Sequence, residues 1–152
     1  MTERSPRWLQ VSLACVSSAA IGYEIALTRL LSFLLHYHYS FLVISGAVFG
    51  IGIGALLVHR RGSASAAGQL ATFAHATSTF MAGAVTLISH EPRLSVAFLI
   101  LASALPMITV GAYLALVFRA WGRDSQRLYF WDLAGAAAGT LWIVPALEGG
   151  PR

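Results

Sequence analysis

The sequence predicts an all-α fold, a polytopic transmembrane helical bundle of about five helices in a single domain over residues 1–152. Three observations carry that reading. Hydrophobic residues make up 57% of the chain and charged residues only 11%, whereas soluble domains carry about 25% charged residues. With a mean hydropathy of +0.72, the chain has too little polar surface to coat a water-facing globule. Apolar runs long enough to span a bilayer recur between short polar loops. The ten basic residues are all arginine, and they mark the ends of those runs as membrane-flanking charges do.

The first segment, residues 8–35, reads WLQVSLACVSSAAIGYEIALTRLLSFLL and can cross a bilayer with some tilt. It is longer than the apolar core of a signal peptide and contains Glu24 and Arg29, so a retained helix is expected. HYHYS, His36 to Ser40, turns the chain into the second segment, 41–58, which stops at His59, Arg60 and Arg61. A small-residue linker, GSASAAG, leads to the third segment, 69–89. There Gln69, Thr72, His75, Thr77, Ser78 and Thr79 are polar enough to require shielding by neighbouring helices. His90-Glu91-Pro92-Arg93 stops it, because proline disfavours helix in the residue before it. The fourth segment, 94–118, carries Pro106 in mid-span, where a kink is expected. Arg119 to Arg127 reads as a charged loop, and the fifth segment covers 128–147.

Counting arginines in the short loops orients the bundle. With the N-terminus in the cytoplasm, seven of them (Arg4, Arg7, Arg60, Arg61, Arg119, Arg123 and Arg127) lie inside. Arg93 and Arg152 lie outside, with Arg29 near the outer interface. This is a positive-inside bias, and it places the HYHYS turn and the C-terminus outside. The net charge of +4 is spread over segment ends and forms no basic element of the kind that binds nucleic acid. The single cysteine, Cys15, excludes an internal disulfide and is expected to be a small packing residue.

Polar groups inside apolar runs are the candidate functional residues, since a charge near the bilayer centre costs roughly 2.5–3.5 kcal/mol on insertion scales. Glu24, Thr28, Arg29, His75 and Asp132 form the candidate intramembrane polar site. Glu24 and Thr28 share a helical face one turn apart, while Arg29 points elsewhere. Glu24 lies about 22 Å into its helix at about 1.5 Å per residue, whereas Asp132 starts the fifth segment near the opposite side, so depth argues against pairing them. Local satisfaction by Ser, Thr, Tyr or backbone groups is one reading of these residues, and a proton or cation path is the other.

His36, His38 and His90 form a candidate outer-side cluster, open to haem ligation, metal binding or proton relay, or to plain interfacial anchoring with the flanking tyrosines. Gly46, Gly50 and Gly54 on the second segment, and Gly135 and Gly139 on the fifth, make surfaces that a second backbone can approach closely. These two faces are expected to dock on each other or on a partner subunit. The glycine run on the second segment has no strand before it, so a phosphate-binding loop is disfavoured.

Two stretches carry a family resemblance: GYEIALTRLLSFLLHYHYSFLVISGAVFGIGIGALL, Gly22 to Leu57, and LYFWDLAGAAAGTLWIVPALEGGP, Leu128 to Pro151. Their order and spacing resemble the membrane region of bacterial spermidine synthase-like membrane proteins. The matching positions are Tyr23, Glu24, Thr28, Arg29, the His-Tyr-His-Tyr run, Gly50, Gly52, Gly54, Asp132, Gly135 and Gly139. The resemblance implies a bacterial inner-membrane location and a fused or separate aminopropyltransferase-like partner. The chain ends at Arg152, where that family usually continues into further helices and the synthase-like domain, so a truncated or standalone membrane module is expected, or a remainder carried by a separate chain. No soluble stretch here could bind an adenosyl cofactor.

The expectation is a non-catalytic membrane subunit or scaffold, without a cofactor, whose partners are other membrane subunits and lipid. The alternatives are a transport module that uses Glu24, Arg29, His75 and Asp132 with Pro106 as a hinge, and a haem-binding electron-transfer subunit using the outer histidines.

Overall fold

A computed structural model describes residues 5–35, 40–60, 66–90 and 95–148. The chain is all-α, with α1 (Arg7–Leu35), α2 (Ser40–Arg60), α3 (Ala66–His90), α4 (Val96–Ala120) and α5 (Ser125–Glu148), and a short 3₁₀ turn at Gly122–Asp124 between the last two. Four stretches, Arg7–Ser32, Gly68–Ile88, Leu101–Ala120 and Gly122–Glu148, are long and apolar enough to cross a membrane, while α2 contributes a shorter apolar stretch, Ile44–Arg60. By length and composition this is an integral membrane protein. Its outward surface agrees with a lipid solvent: Phe49 is 69% exposed and Leu141 is 77% exposed.

Local signals explain where the helices begin and end. Pro6 occupies the entry to α1, where its missing N–H costs nothing, and its carbonyl accepts from Leu9 and Gln10. Ser95, in extended conformation, caps α4 by accepting the Phe98 N–H at 3.3 Å. α3 starts at Ala66, ahead of the expected Gln69, because the linker's alanines are strong helix formers. The charged stretch 119–127 is mostly helical: α4 continues to Ala120 and α5 begins at Ser125. Charge marks a membrane interface there, and it does not break the backbone.

α4 is the central helix. It packs on α2, α3 and α1, and it contributes to both apolar clusters. One cluster gathers Tyr23, Leu27 and Leu31 of α1 with Ala84 and Ile88 of α3 and Met107 and Val110 of α4. The other joins Leu9 and Leu13 of α1 to Val58, Leu70, Tyr113, Val117 and Leu128. α5 lies at the periphery, packed along α1.

The closest approaches are made by two parallel pairs, α2 with α4 and α1 with α5. A side-chain carbon on Gly50 would meet the Ala104 carbonyl oxygen at 2.8 Å, and one on Gly54 would collide with the Ile108 carbonyl. Gly111 of α4 answers from the other side, against the Ile51 backbone. Gly135 and Gly139 likewise abut the Ala14 and Ser18 backbones of α1. The sequence leaves the two glycine faces to dock on each other or on a partner subunit, whereas Gly50, Gly54, Gly135 and Gly139 each meet another helix of this chain. α4 fills one and α1 fills the other, because parallel packing brings small residues at matching four-residue spacing into register.

Two further expectations are corrected. Cys15 is exposed and does not pack in the core. The α1 face that meets α5 runs through Ala14 and Ser18 and leaves Cys15 to one side. α3 is not shielded by its neighbours. It rests mainly on α4, so only one of its faces is covered.

Candidate functional site

The sequence-derived polar residues do not assemble into one site. No hydrogen bond or ion pair joins any two of Glu24, Thr28, Arg29, His75 and Asp132 among the described residues. Glu24 and Thr28 are both half-buried on α1, and the Thr28 carbonyl accepts from Ser32 Oγ at 2.6 Å. Arg29 is exposed one position further round the helix. Asp132 accepts from Ser17 Oγ across the α1–α5 contact, so its partner is a neighbouring serine and not Glu24. His75 is exposed on α3, where its carbonyl accepts from Thr79 Oγ1 at 2.9 Å. His36 and His38 lie outside the described residues, and His90 is exposed at the end of α3. No group of three or more His, Cys, Asp or Glu side chains gathers among the described residues.

Several polar contacts were not foreseen from sequence. The Ser5 N–H and Oγ donate to Asp124 Oδ2 at 2.7 and 3.0 Å, and Gln10 Nε2 donates to Ser5 at 3.1 Å. Ser12 Oγ and the Tyr113 hydroxyl share a 2.7 Å bond. Trp142 Nε1 donates to Ser18 Oγ at 3.0 Å. The recurrence of Gln10, Ser12, Ser17 and Ser18 through the first half of α1 was the available signal. At the same end of the bundle, Arg119 Nη1 donates to the Val58 carbonyl at 3.1 Å, capping the last turn of α2. These contacts collect Arg7, Arg60, Arg119, Arg123 and Arg127 at one end of the bundle.

The most organised polar surface is the outward face of α3. Gly68, Thr72, His75, Thr79, Gly83, Thr86 and His90 are all exposed, and at 3.6 residues per turn they fall within an arc of about 80°. Leu70, Thr77, Ala84 and Ile88 lie on the opposite side and are buried. A small and polar stripe thus looks outward, with exposed Phe80, Val85 and Leu87 to either side of it. Thr72, Thr79 and Thr86 donate to the carbonyls of Gly68, His75 and Ala82, which satisfies their protons locally. The His75 imidazole has no such partner among the described residues.

The half of this face toward His90 opens into a groove of about 780 Å³ between α3 and α4. Thr79, Gly83, Thr86 and His90 line one wall, and Phe98, Leu101 and Leu105 line the other. A Cβ on Gly83 would meet nothing, so the glycine leaves open floor. Phe80 and Leu87 also line the groove, which is largely apolar with a small-residue floor that permits close approach.

No protein-family model matches the chain, and neither a curated protein nor a solved structure matches it.

Proposed function

We propose that this chain is a non-catalytic integral membrane subunit or scaffold that docks in a larger membrane assembly through the outward face of α3. The observation that carries the proposal is a stripe of small and polar residues, Thr72, His75, Thr79, Gly83 and Thr86, along the outward face of α3, flanked by exposed Phe80, Val85 and Leu87. His75 lies seven residues from the nearer end of its candidate span, roughly 10 Å along the axis, too deep for an imidazole to reach the interface easily. A partner helix that covers it removes the cost of holding it in lipid. The glycine faces are used within the chain, so the docking surface lies on α3.

The same reading takes the N-terminus as cytoplasmic, because the arginine-rich end of the bundle belongs inside. It takes the resemblance of Gly22–Leu57 and Leu128–Pro151 as kinship with the membrane region of bacterial spermidine synthase-like proteins, with aminopropyl transfer assigned to a partner and none to these residues. The test is purification from native membranes in mild detergent, comparing wild type with Gly83→Leu and with Leu141→Ala on α5. A defined partner should be retained by Leu141→Ala and lost by Gly83→Leu. Equal retention by both variants contradicts the assignment.

One observation favours a second reading. Glu24 is half-buried in a membrane span and makes no hydrogen bond or ion pair with another described residue, as an ion-conducting carboxylate would. Proton or cation flux in proteoliposomes that disappears in Glu24→Gln would move the function to conduction.

A further inference from the structure

Pro106 removes a backbone donor from the middle of α4. In an α-helix the N–H of residue 106 would bond the carbonyl of residue 102, so the Ala102 carbonyl loses its helical partner. Ala102 is buried, where an unmade bond is costly. The missing donor comes from another helix: the Tyr23 hydroxyl of α1 donates to the Ala102 carbonyl at 3.5 Å. On the other side of the proline the tie runs to α3. Thr109 Oγ1 donates to the Pro106 carbonyl at 2.7 Å, and Thr77 Oγ1 donates to Thr109 Oγ1 at 2.8 Å.

Before Pro106 the tie runs from α4 to α1 through Tyr23; after it, α4 is bonded both to α3 through Thr109 and Thr77 and to α1 through Tyr113 and Ser12. The groove between α3 and α4 lies beside the half before Pro106, with Leu105, Ala102 and Leu101 on its α4 side, whereas the Thr109–Thr77 tie to α3 lies after the proline. We propose that Tyr23 is the latch of a hinge at Pro106, and that its bond to the Ala102 carbonyl holds the first half of α4 away from α3 and so sets the width of the groove. The latch is independent of what docks in the groove and stands whether or not a partner binds there.

The test places spin labels in a Cys15→Ala background. One pair, at Thr86 and Leu101, straddles the groove; a control pair, at Ala71 and Ala120, reports the end beyond Pro106. Tyr23→Phe should broaden the Thr86–Leu101 distance distribution and leave the control pair unchanged. Adding Pro106→Ala should narrow it again, because the restored N–H takes over the Ala102 carbonyl. An unchanged groove distance in Tyr23→Phe overturns the proposal. So does equal broadening with Pro106 or Ala at that position, which would make Tyr23 a packing residue only, and so does broadening of both pairs. If Tyr23→Phe does not fold, the Tyr23→Phe/Pro106→Ala double variant should recover folded protein, and failure to recover it rejects the latch.

Discussion

Both α1–α5 and α2–α4 are parallel pairs that close on glycine, yet side-chain hydrogen bonds are concentrated in the first. Along α1–α5, Ser17 meets Asp132 and Ser18 meets Trp142, and Ser5 meets Asp124 just ahead of the two helices. Along α2–α4, Arg119 caps the last turn of α2 by donating to the Val58 carbonyl. There, glycines stand on both helices, with Gly50 and Gly54 facing Gly111 and its neighbours. The difference follows from position. α4 is enclosed by α1, α2 and α3, so shape complementarity on several sides holds it, whereas α5 leans on α1. In lipid no hydrophobic force drives helices together, and a helix with one main neighbour relies on directional bonds to keep its register.

The largest effect should come from filling the dry pair. Gly54→Leu drives a side chain into the α4 backbone and should destabilise the bundle by about 3 kcal/mol or more, read as loss of folded protein in mild detergent. Leu57→Ala, three residues on and exposed on the same helix, should have little effect. Comparable yields of the two variants would break the account of α2–α4.

Next in size is the polar staple. Ser17→Ala strands the Asp132 carboxylate and should cost about 1–2 kcal/mol. Hydrogen exchange should rise along α5 while α2 and α4 keep their protection. Uniform loss of protection across all helices would show that α1–α5 is not a separately held pair.

The helices were legible in the sequence, and their partners were not. Apolar runs between arginines mark five helices because length and charge are local properties. The four-residue spacing of Gly50 and Gly54 likewise shows that a backbone can approach. It does not show which one, since that depends on contacts between residues far apart in the chain, such as Gly54 with Ile108 or Gly135 with Ala14. The polar character of α3 was readable from Thr72, His75 and Thr79, but its direction was not: the helix turns that face away from the bundle. Asp132 accepts from Ser17 and makes no bond with Glu24. Ser17, which holds it, reads as an ordinary small residue until α5 lies beside it.

Glu24→Gln sharpens the contrast between held and unheld polar groups. It should leave stability within about 0.5 kcal/mol, because no described partner depends on its charge. A large loss of folded protein would mean that the carboxylate is structurally engaged. A comparably small effect is expected of Trp142→Phe. It removes the indole donor to Ser18 and should cost about 0.6 kcal/mol, seen as a small shift in a denaturation midpoint.

The outward face of α3 contrasts with the outward face of α5, and that contrast tests the central claim most directly. A photo-crosslinking residue at Thr79 or at Leu141, irradiated in native membranes, reports what touches each surface. The account predicts a discrete protein adduct from Thr79 and only lipid adducts from Leu141. Lipid adducts alone from Thr79 would contradict it.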